Sequence, residues 1–463
     1  MHYVSTRGTA PVLDFEAALR AGLARDGGLY LPAEIPQMAP AEIAALAGLS
    51  YEEIALRVIR PFIGDAFTGS ELAAMIADAY AGIGHPARAP LKQLAPNHFL
   101  LELFHGPTLA FKDFAMQLVG RLFAASLKRS GGRITVVGAT SGDTGSAAIE
   151  AFAGLPGVDV FILFPQGRVS EVQRRQMTTP TADNVHALAV EGDFDTCQAL
   201  VKAMFNDHAF RDAVGLAGVN SINWARVLAQ VVYYFSAAVS LGAPHRPVSF
   251  CVPTGNFGDI YAGSIARAMG LPVERLVVAT NQNDILHRCL STGAYRPAGV
   301  QPSISPSMDI QVSYNFERAL FDAHGRDAGA VAGLMAELNA GGFTLSGNAL
   351  DALRSVFASG RVSEAETLET IARTHDETGE LLCPHSAVGV AVAAAHLGAT
   401  PMITLATAHP AKFPDAVARA TGLRPELPLR MADLFERPER MTEMPDDLAA
   451  LQGLIRDRIG VAA

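Results

Sequence analysis

Lysine is scarce in this chain. Only five of its 36 basic residues are lysines, namely Lys92, Lys112, Lys128, Lys202 and Lys412, so chemistry that needs a primary amine has few carriers. The four cysteines, Cys197, Cys251, Cys289 and Cys383, lie far apart with no Cys-x-x-Cys pair. That spacing argues against a disulfide framework and a zinc site, and it fits a reducing cytoplasm. Basic blocks are absent, and 46 acidic residues against 36 basic ones leave a net charge of −10. Such a chain is a poor partner for nucleic acid or an anionic membrane. No stretch approaches the ~18 uninterrupted apolar residues of a membrane span, and the opening Met-His-Tyr-Val-Ser-Thr-Arg lacks a basic-then-apolar signal pattern. A soluble cytoplasmic protein is expected. Any phosphorylated substrate must be held by a local pocket, because the overall field repels it.

What is present is enough apolar sequence for a large core: 463 residues, 49% apolar and only 18% charged, too long for one core. Residues 1–90 read as a small helical N-terminal domain. Phe15 to Ala24 has helical spacing, Gly27-Gly28 breaks it, and Ser50 with Glu53 makes a capping box. From about residue 95 the rhythm becomes strand, turn, helix. Ile134–Ala139, Val248–Pro253 and Met402–Ala406 are Val/Ile-rich runs, each followed by a turn and a helix. This pattern predicts an α/β protein with mostly parallel sheets covered by helices on both faces. The divisions expected are 91–240, a first α/β unit with an inserted small domain; 241–425, a large α/β domain; and 426–463, a C-terminal tail. Residues 325–380 read as helical and polar, without a recognisable motif. In parallel sheets ligands gather at the carboxyl ends of strands, where the informative turns lie.

The most informative stretch is His105-Gly-Pro-Thr-Leu-Ala-Phe-Lys-Asp-Phe114. Phe111 and Phe114 flank Lys112 just after an apolar strand, a poor setting for a solvated charge. Desolvation lowers a lysine's pKa, and a partly neutral amine can condense with an aldehyde cofactor. Among the other lysines, Lys128 ends a helix where a cation suits the dipole, Lys202 lies on the polar side of an amphipathic helix, and Lys92 follows a proline-bearing loop. Lys412, in a strand-to-helix loop, is the serious rival.

Three turns add anion chemistry, and a fourth adds a hydroxyl and a histidine. Gly255-Asn256-Phe257-Gly258 joins a buried strand to a helix, so backbone N–H groups and the helix N-terminus can meet an anion; the missing Gly-Lys-Ser/Thr ending excludes a nucleotide P-loop. Ser141-Gly-Asp143-Thr144-Gly is similar, and Asp143 or Thr144 would also serve as an N-cap. Asn220-Ser221-Ile-Asn-Trp-Ala-Arg226 offers amide and hydroxyl donors and a guanidinium that matches a phosphate. Thr407-Ala-His409-Pro follows the last strand, with His409 a pocket candidate, although a histidine before proline is more often structural.

These segments, with Ser305-Pro-Ser-Met-Asp-Ile310, Tyr3-Val-Ser-Thr-Arg-Gly8 and Asp26-Gly-Gly-Leu-Tyr-Leu-Pro32, resemble threonine synthases in identity and order, from about residue 2 to about residue 420. The resemblance implies a fold type II pyridoxal phosphate enzyme of the long form with an N-terminal domain, behaving as a monomer. It implies that Lys112 carries pyridoxal 5′-phosphate; that Gly255, Asn256, Phe257 and Gly258 hold the cofactor phosphate; that Asp143 lies near the ring and Thr407 against the pyridine nitrogen; and that no metal is used. Ser141 and Thr144 would hold the amino acid, while Asn220, Ser221 and Arg226 clamp the phosphate of O-phospho-L-homoserine. The implied reaction, last in threonine biosynthesis, gives L-threonine and phosphate. A serine/threonine dehydratase or a non-catalytic ligand-sensing homologue is the alternative.

Overall fold

Two sheets organise the chain in the computed structural model, which describes residues 1–461 apart from Ser141 and Val219. The larger has six strands in the order Phe357–Arg361, Val273–Thr280, Val248–Pro253, Met402–Ala406, His98–Glu102 and Leu91–Ala95. All pairs are parallel except the last, which is antiparallel. Its central runs Val-Ser-Phe-Cys-Val-Pro and Met-Ile-Thr-Leu-Ala are buried at every position. Alternation sends Phe250 and Val252 into the core shared with helices Trp224–Ser240 and Gly258–Ala268. It sends Cys251 to the opposite face, against Val388 and Val392 of helix Pro384–Ala394. A strand covered on both sides needs unbroken apolar sequence, and these have it.

The smaller sheet is wholly parallel, in the order Thr442–Met444, Val185–Val190, Val158–Pro165, Ile134–Ala139, Leu216–Ala217. The last part of the chain therefore joins the fold: Thr442–Met444 forms an edge strand, and Leu451 and Ile455 of helix Leu448–Ile459 pack with Leu188 and Phe210.

The N-terminal unit has the expected helices, including Tyr51–Ile63, where the Ser50 and Glu53 side chains each accept the other's backbone N–H. It also contains a ribbon, Tyr3–Ser5 antiparallel to Tyr30–Pro32. Arg318, fully buried, donates to the Tyr30 carbonyl at 2.7 Å and the Ile222 carbonyl at 2.6 Å, tying this unit to the loop before Trp224.

Residues 325–380 depart from the all-helical expectation. Helices Ala328–Asn339, Gly347–Arg354 and Glu364–Thr378 are present, but Phe357–Arg361 is the edge strand of the large sheet. Phe-Ala-Ser-Gly-Arg is short and polar, because an edge strand needs only one paired side; the partner strand makes it a strand. Among the described residues no helix is long and apolar enough to cross a membrane.

Helices Lys112–Ser130 and Asp143–Phe152 cross at Gly120, where an added Cβ would lie 2.6 Å from the Ala151 carbonyl oxygen. That obstacle is backbone and cannot rotate away. We expect Gly120→Ala to force the helices apart and lower unfolding stability by about 1–3 kcal/mol, measured by urea denaturation. An unchanged midpoint would show that the crossing tolerates a methyl group.

Candidate active site

The loops after the adjacent parallel strands His98–Glu102 and Met402–Ala406 clasp one another. Phe111 N–H donates to the Thr407 carbonyl at 2.9 Å, and Ala110 bridges Ala408. Leu109 takes a left-handed φ of 63° to make the turn, and helix Lys112–Ser130 begins at once. Lys112 is thus buried at a helix N-terminus, its Nζ 4.7 Å from the Phe111 ring centre. Its Nζ stands 3.4 Å from Asp143 Oδ2. Burial lowers the Lys112 pKa; Asp143 opposes this, while Lys412 and Arg226 add to the lowering.

Asp143 does not cap its helix. The N-cap is Gly142, with no side-chain bond, and Thr140 Oγ1 accepts from Gly142 N–H and Gly145 N–H at 2.9 Å each. The Asp143 carboxylate instead meets three donors. Lys412 Nζ lies 2.8 Å from Oδ1, Gln173 Nε2 donates to the same oxygen at 2.8 Å, and Lys112 faces the other. Burial alone would raise this acid's pKa, but Lys412, Lys112 and His385 outweigh it and hold the carboxyl well below its ordinary range. Thr144 is half-buried in the first turn of the same helix, and Ser141 lies outside the described residues.

In the turn Gly255–Gly258, Phe257 takes φ 62° and Gly258 opens helix Gly258–Ala268. A Cβ on Gly255 would sit 2.4 Å from the Ser307 carbonyl oxygen, so only glycine lets Ser307 approach. The next residue of the helix, Asp259, accepts from the Tyr233 and Tyr234 hydroxyls, and burial pushes its pKa up to about 6. Asn315 Nδ2 donates to the carbonyls of Asn256 at 2.9 Å and Ser221 at 3.1 Å, fastening this turn to the Asn220–Arg226 segment. There Asn223 caps helix Trp224–Ser240, and Arg226 is buried in its first turn, with burial pushing its pKa down to about 10. Asn220 and Ser221 are half-buried.

Thr407 is buried, with its N–H on Ser386 Oγ at 3.1 Å. His409 is structural: its Nδ1 accepts from Ala411 N–H, and its ring packs edge-on against Phe104. Sequence reasoning missed His385, whose Nε2 accepts from Ser307 N–H at 3.1 Å. Burial holds its pKa near 4, so the ring is neutral and this bond places its proton on Nδ1. Gln173 carries no signal in the sequence, and Lys412 stands out there only as a rival amine.

Three family profiles match in succession: "Threonine synthase N terminus" over residues 2–80, "Pyridoxal-phosphate dependent enzyme" over 85–336 and "Threonine synthase, C-terminal" over 386–455. Threonine synthase of Pseudomonas aeruginosa is 54% identical over 459 residues, 98% of each chain. The crystal structure of pyridoxal phosphate-bound threonine synthase from Brucella melitensis superposes with TM-score 0.97 and 58% identity over all of both chains. The yeast threonine synthase structure does so with TM-score 0.94 and 40% identity over 99% of each. The chain belongs to the threonine synthase family.

It is accordingly a pyridoxal phosphate-dependent enzyme of the type II fold, and its residues fit that cofactor. Lys112 supplies a buried amine of lowered pKa. The Gly255–Gly258 turn presents a helix N-terminus, whose backbone N–H groups suit an anion.

Asp259 gives this threonine synthase family member a pH signature. Its folded-state pKa is raised to about 6, so between the ordinary carboxylate range and that value the folded state binds more protons than the unfolded one. Its contribution to stability therefore falls as pH rises through this window. We expect the stability of Asp259→Asn relative to the parent to increase from about pH 4 to about pH 7, read by urea denaturation at both ends. A difference that stays constant would contradict the raised value.

Proposed function

We propose that this enzyme converts O-phospho-L-homoserine and water into L-threonine and phosphate, the last step of threonine biosynthesis, as a cytoplasmic monomer. The observation that carries the reading is a buried lysine amine at the carboxyl end of the large sheet, with the buried Arg226 guanidinium near enough for its charge to lower the Lys112 pKa. A γ-phosphate held by Arg226, Asn220 and Ser221 would place the substrate's Cα and Cβ protons towards that amine. Four free, buried cysteines suit a reducing cytoplasm.

Bound pyridoxal phosphate supplies an aldehyde that holds the substrate amine and a ring that takes up the charge left when Cα loses its proton. Lys112 Nζ acts as the base that removes the Cα proton and then a Cβ proton, and after the phosphate has left it returns protons to Cγ, which becomes the methyl group, and to Cα. Arg226, with Asn220 and Ser221, binds the γ-phosphate and stabilises it as it leaves. Water then adds at Cβ. Thr144 and Ser141 orient the amino acid carboxylate. Gly255, Asn256, Phe257 and Gly258 hold the cofactor phosphate, Asp143 faces the ring side near Lys112, and Thr407 offers its neutral hydroxyl to the pyridine nitrogen.

The deciding measurement is kcat/KM for O-phosphohomoserine against L-threonine and L-serine, with phosphate and threonine release followed together. The phosphorylated substrate should be strongly preferred, because its phosphate supplies both leaving group and orientation. Faster turnover of either hydroxy amino acid would make the protein a dehydratase. Arg226→Ala should raise KM for O-phosphohomoserine through the loss of charge-assisted bonds contributing about 1.5–3 kcal/mol; unchanged kinetics would remove Arg226 from the site.

A further inference from the structure

A lysine that must attack an aldehyde needs a lone pair, and Lys112 has a carboxylate 3.4 Å away that favours keeping a proton on it. Lys412 alters that balance. It is fully buried, its Nζ lies 2.8 Å from the other oxygen of Asp143, and it donates to the Thr108 carbonyl at 2.7 Å. Thr108 is itself pinned, its N–H and hydroxyl donating to Asp113 at 2.9 and 2.6 Å. The anchor holds the Lys412 ammonium against Asp143, and Gln173 Nε2 adds a third donor to the carboxylate. The shorter ion pair of Asp143 is with Lys412.

We propose that Lys412 is a positioning residue that takes up the Asp143 carboxylate and so leaves the Lys112 amine free to react with the cofactor aldehyde. This rests on Lys112 being the cofactor lysine. In that reaction the Nζ lone pair bonds to the aldehyde carbon and a C=N bond forms. The aldehyde oxygen leaves as water with both amine hydrogens; a protonated amine cannot begin.

The surroundings agree. Arg226 and His385 face Lys112 alongside Lys412, and so does Asp259, whose carboxylate already accepts from the Tyr233 and Tyr234 hydroxyls. Asp113 and His409 also face Lys412. Burial, Lys412 and Arg226 all disfavour a charged Lys112, and Asp143 opposes them. Without Lys412, Lys112 becomes the only lysine paired with Asp143 and holds its proton to higher pH.

The test uses the full chain freed of cofactor, incubated with pyridoxal phosphate across a pH series and reduced with borohydride. The adduct on the Lys112 peptide is then quantified by mass spectrometry. Lys412→Met should move half-maximal incorporation upward by about one to three pH units, and adding Asp143→Asn should abolish that shift. An unmoved profile, or a shift that survives Asp143→Asn, overturns the proposal, because loss of the Thr108 anchor alone would not depend on Asp143. Should Lys412→Met fail to fold, Asp143→Asn alone decides: incorporation should move to lower pH, and no movement or an upward one overturns the proposal. Lys112→Ala keeps the two readings apart. If it retains the cofactor's visible absorbance and a reducible adduct, the assignment of Lys112 fails. If its adduct is lost while Lys412→Met is unmoved, only the role of Lys412 fails.

Discussion

A carboxylate removed from water has to be surrounded by donors or cations, and in this protein that requirement falls on Asp143. Its partners come from different places: Lys112 from the helix after His98–Glu102, Lys412 from the loop after Met402–Ala406, and Gln173 from a helix of the small-sheet half. One buried charge thus joins the two sheets where the buried Lys112 amine stands. Removing one member of a buried ion pair typically costs about 3–5 kcal/mol because the other is stranded. The same low-dielectric setting moves the amine's proton affinity, so the arrangement that fastens the halves together also sets the reactivity of Lys112.

A second joint works through backbone carbonyls. Asn315 binds the carbonyls of Asn256 and Ser221, and Arg318 binds those of Tyr30 and Ile222. Helix Phe316–Ala323 and the residue before it therefore hold the Gly255–Gly258 turn, the segment leading to Arg226 and the N-terminal ribbon in one register. This gives the N-terminal unit a physical role in the site: its backbone carbonyl at Tyr30 satisfies a guanidinium that would otherwise be buried without enough acceptors.

Much of the architecture was legible because buried parallel strands demand continuous apolar runs, and Ile134–Ala139, Val248–Pro253 and Met402–Ala406 are such runs with matching boundaries. Phe357–Arg361 was not legible, since its strand character comes from the neighbour it pairs with. The 3–5 and 30–32 ribbon escaped for the same reason, being only three residues on each side. In the site, Lys112 could be singled out by its flanking phenylalanines. The partners of Asp143 could not, and Asp143 as an N-cap was a sound local expectation that a distant lysine overrode.

The sequence by itself determined the rhythm of strands and helices, the places where turns end those strands, and the small set of amines available for cofactor chemistry. These follow from local rules: apolar periodicity, backbone freedom and residue type. Only the tertiary structure decided which charges share the buried space. Lys412 is 269 positions from Asp143 along the chain and Gln173 is 30 positions away. Electrostatic coupling depends on distance through the fold and on the exclusion of water, neither of which is written in the order of neighbouring residues.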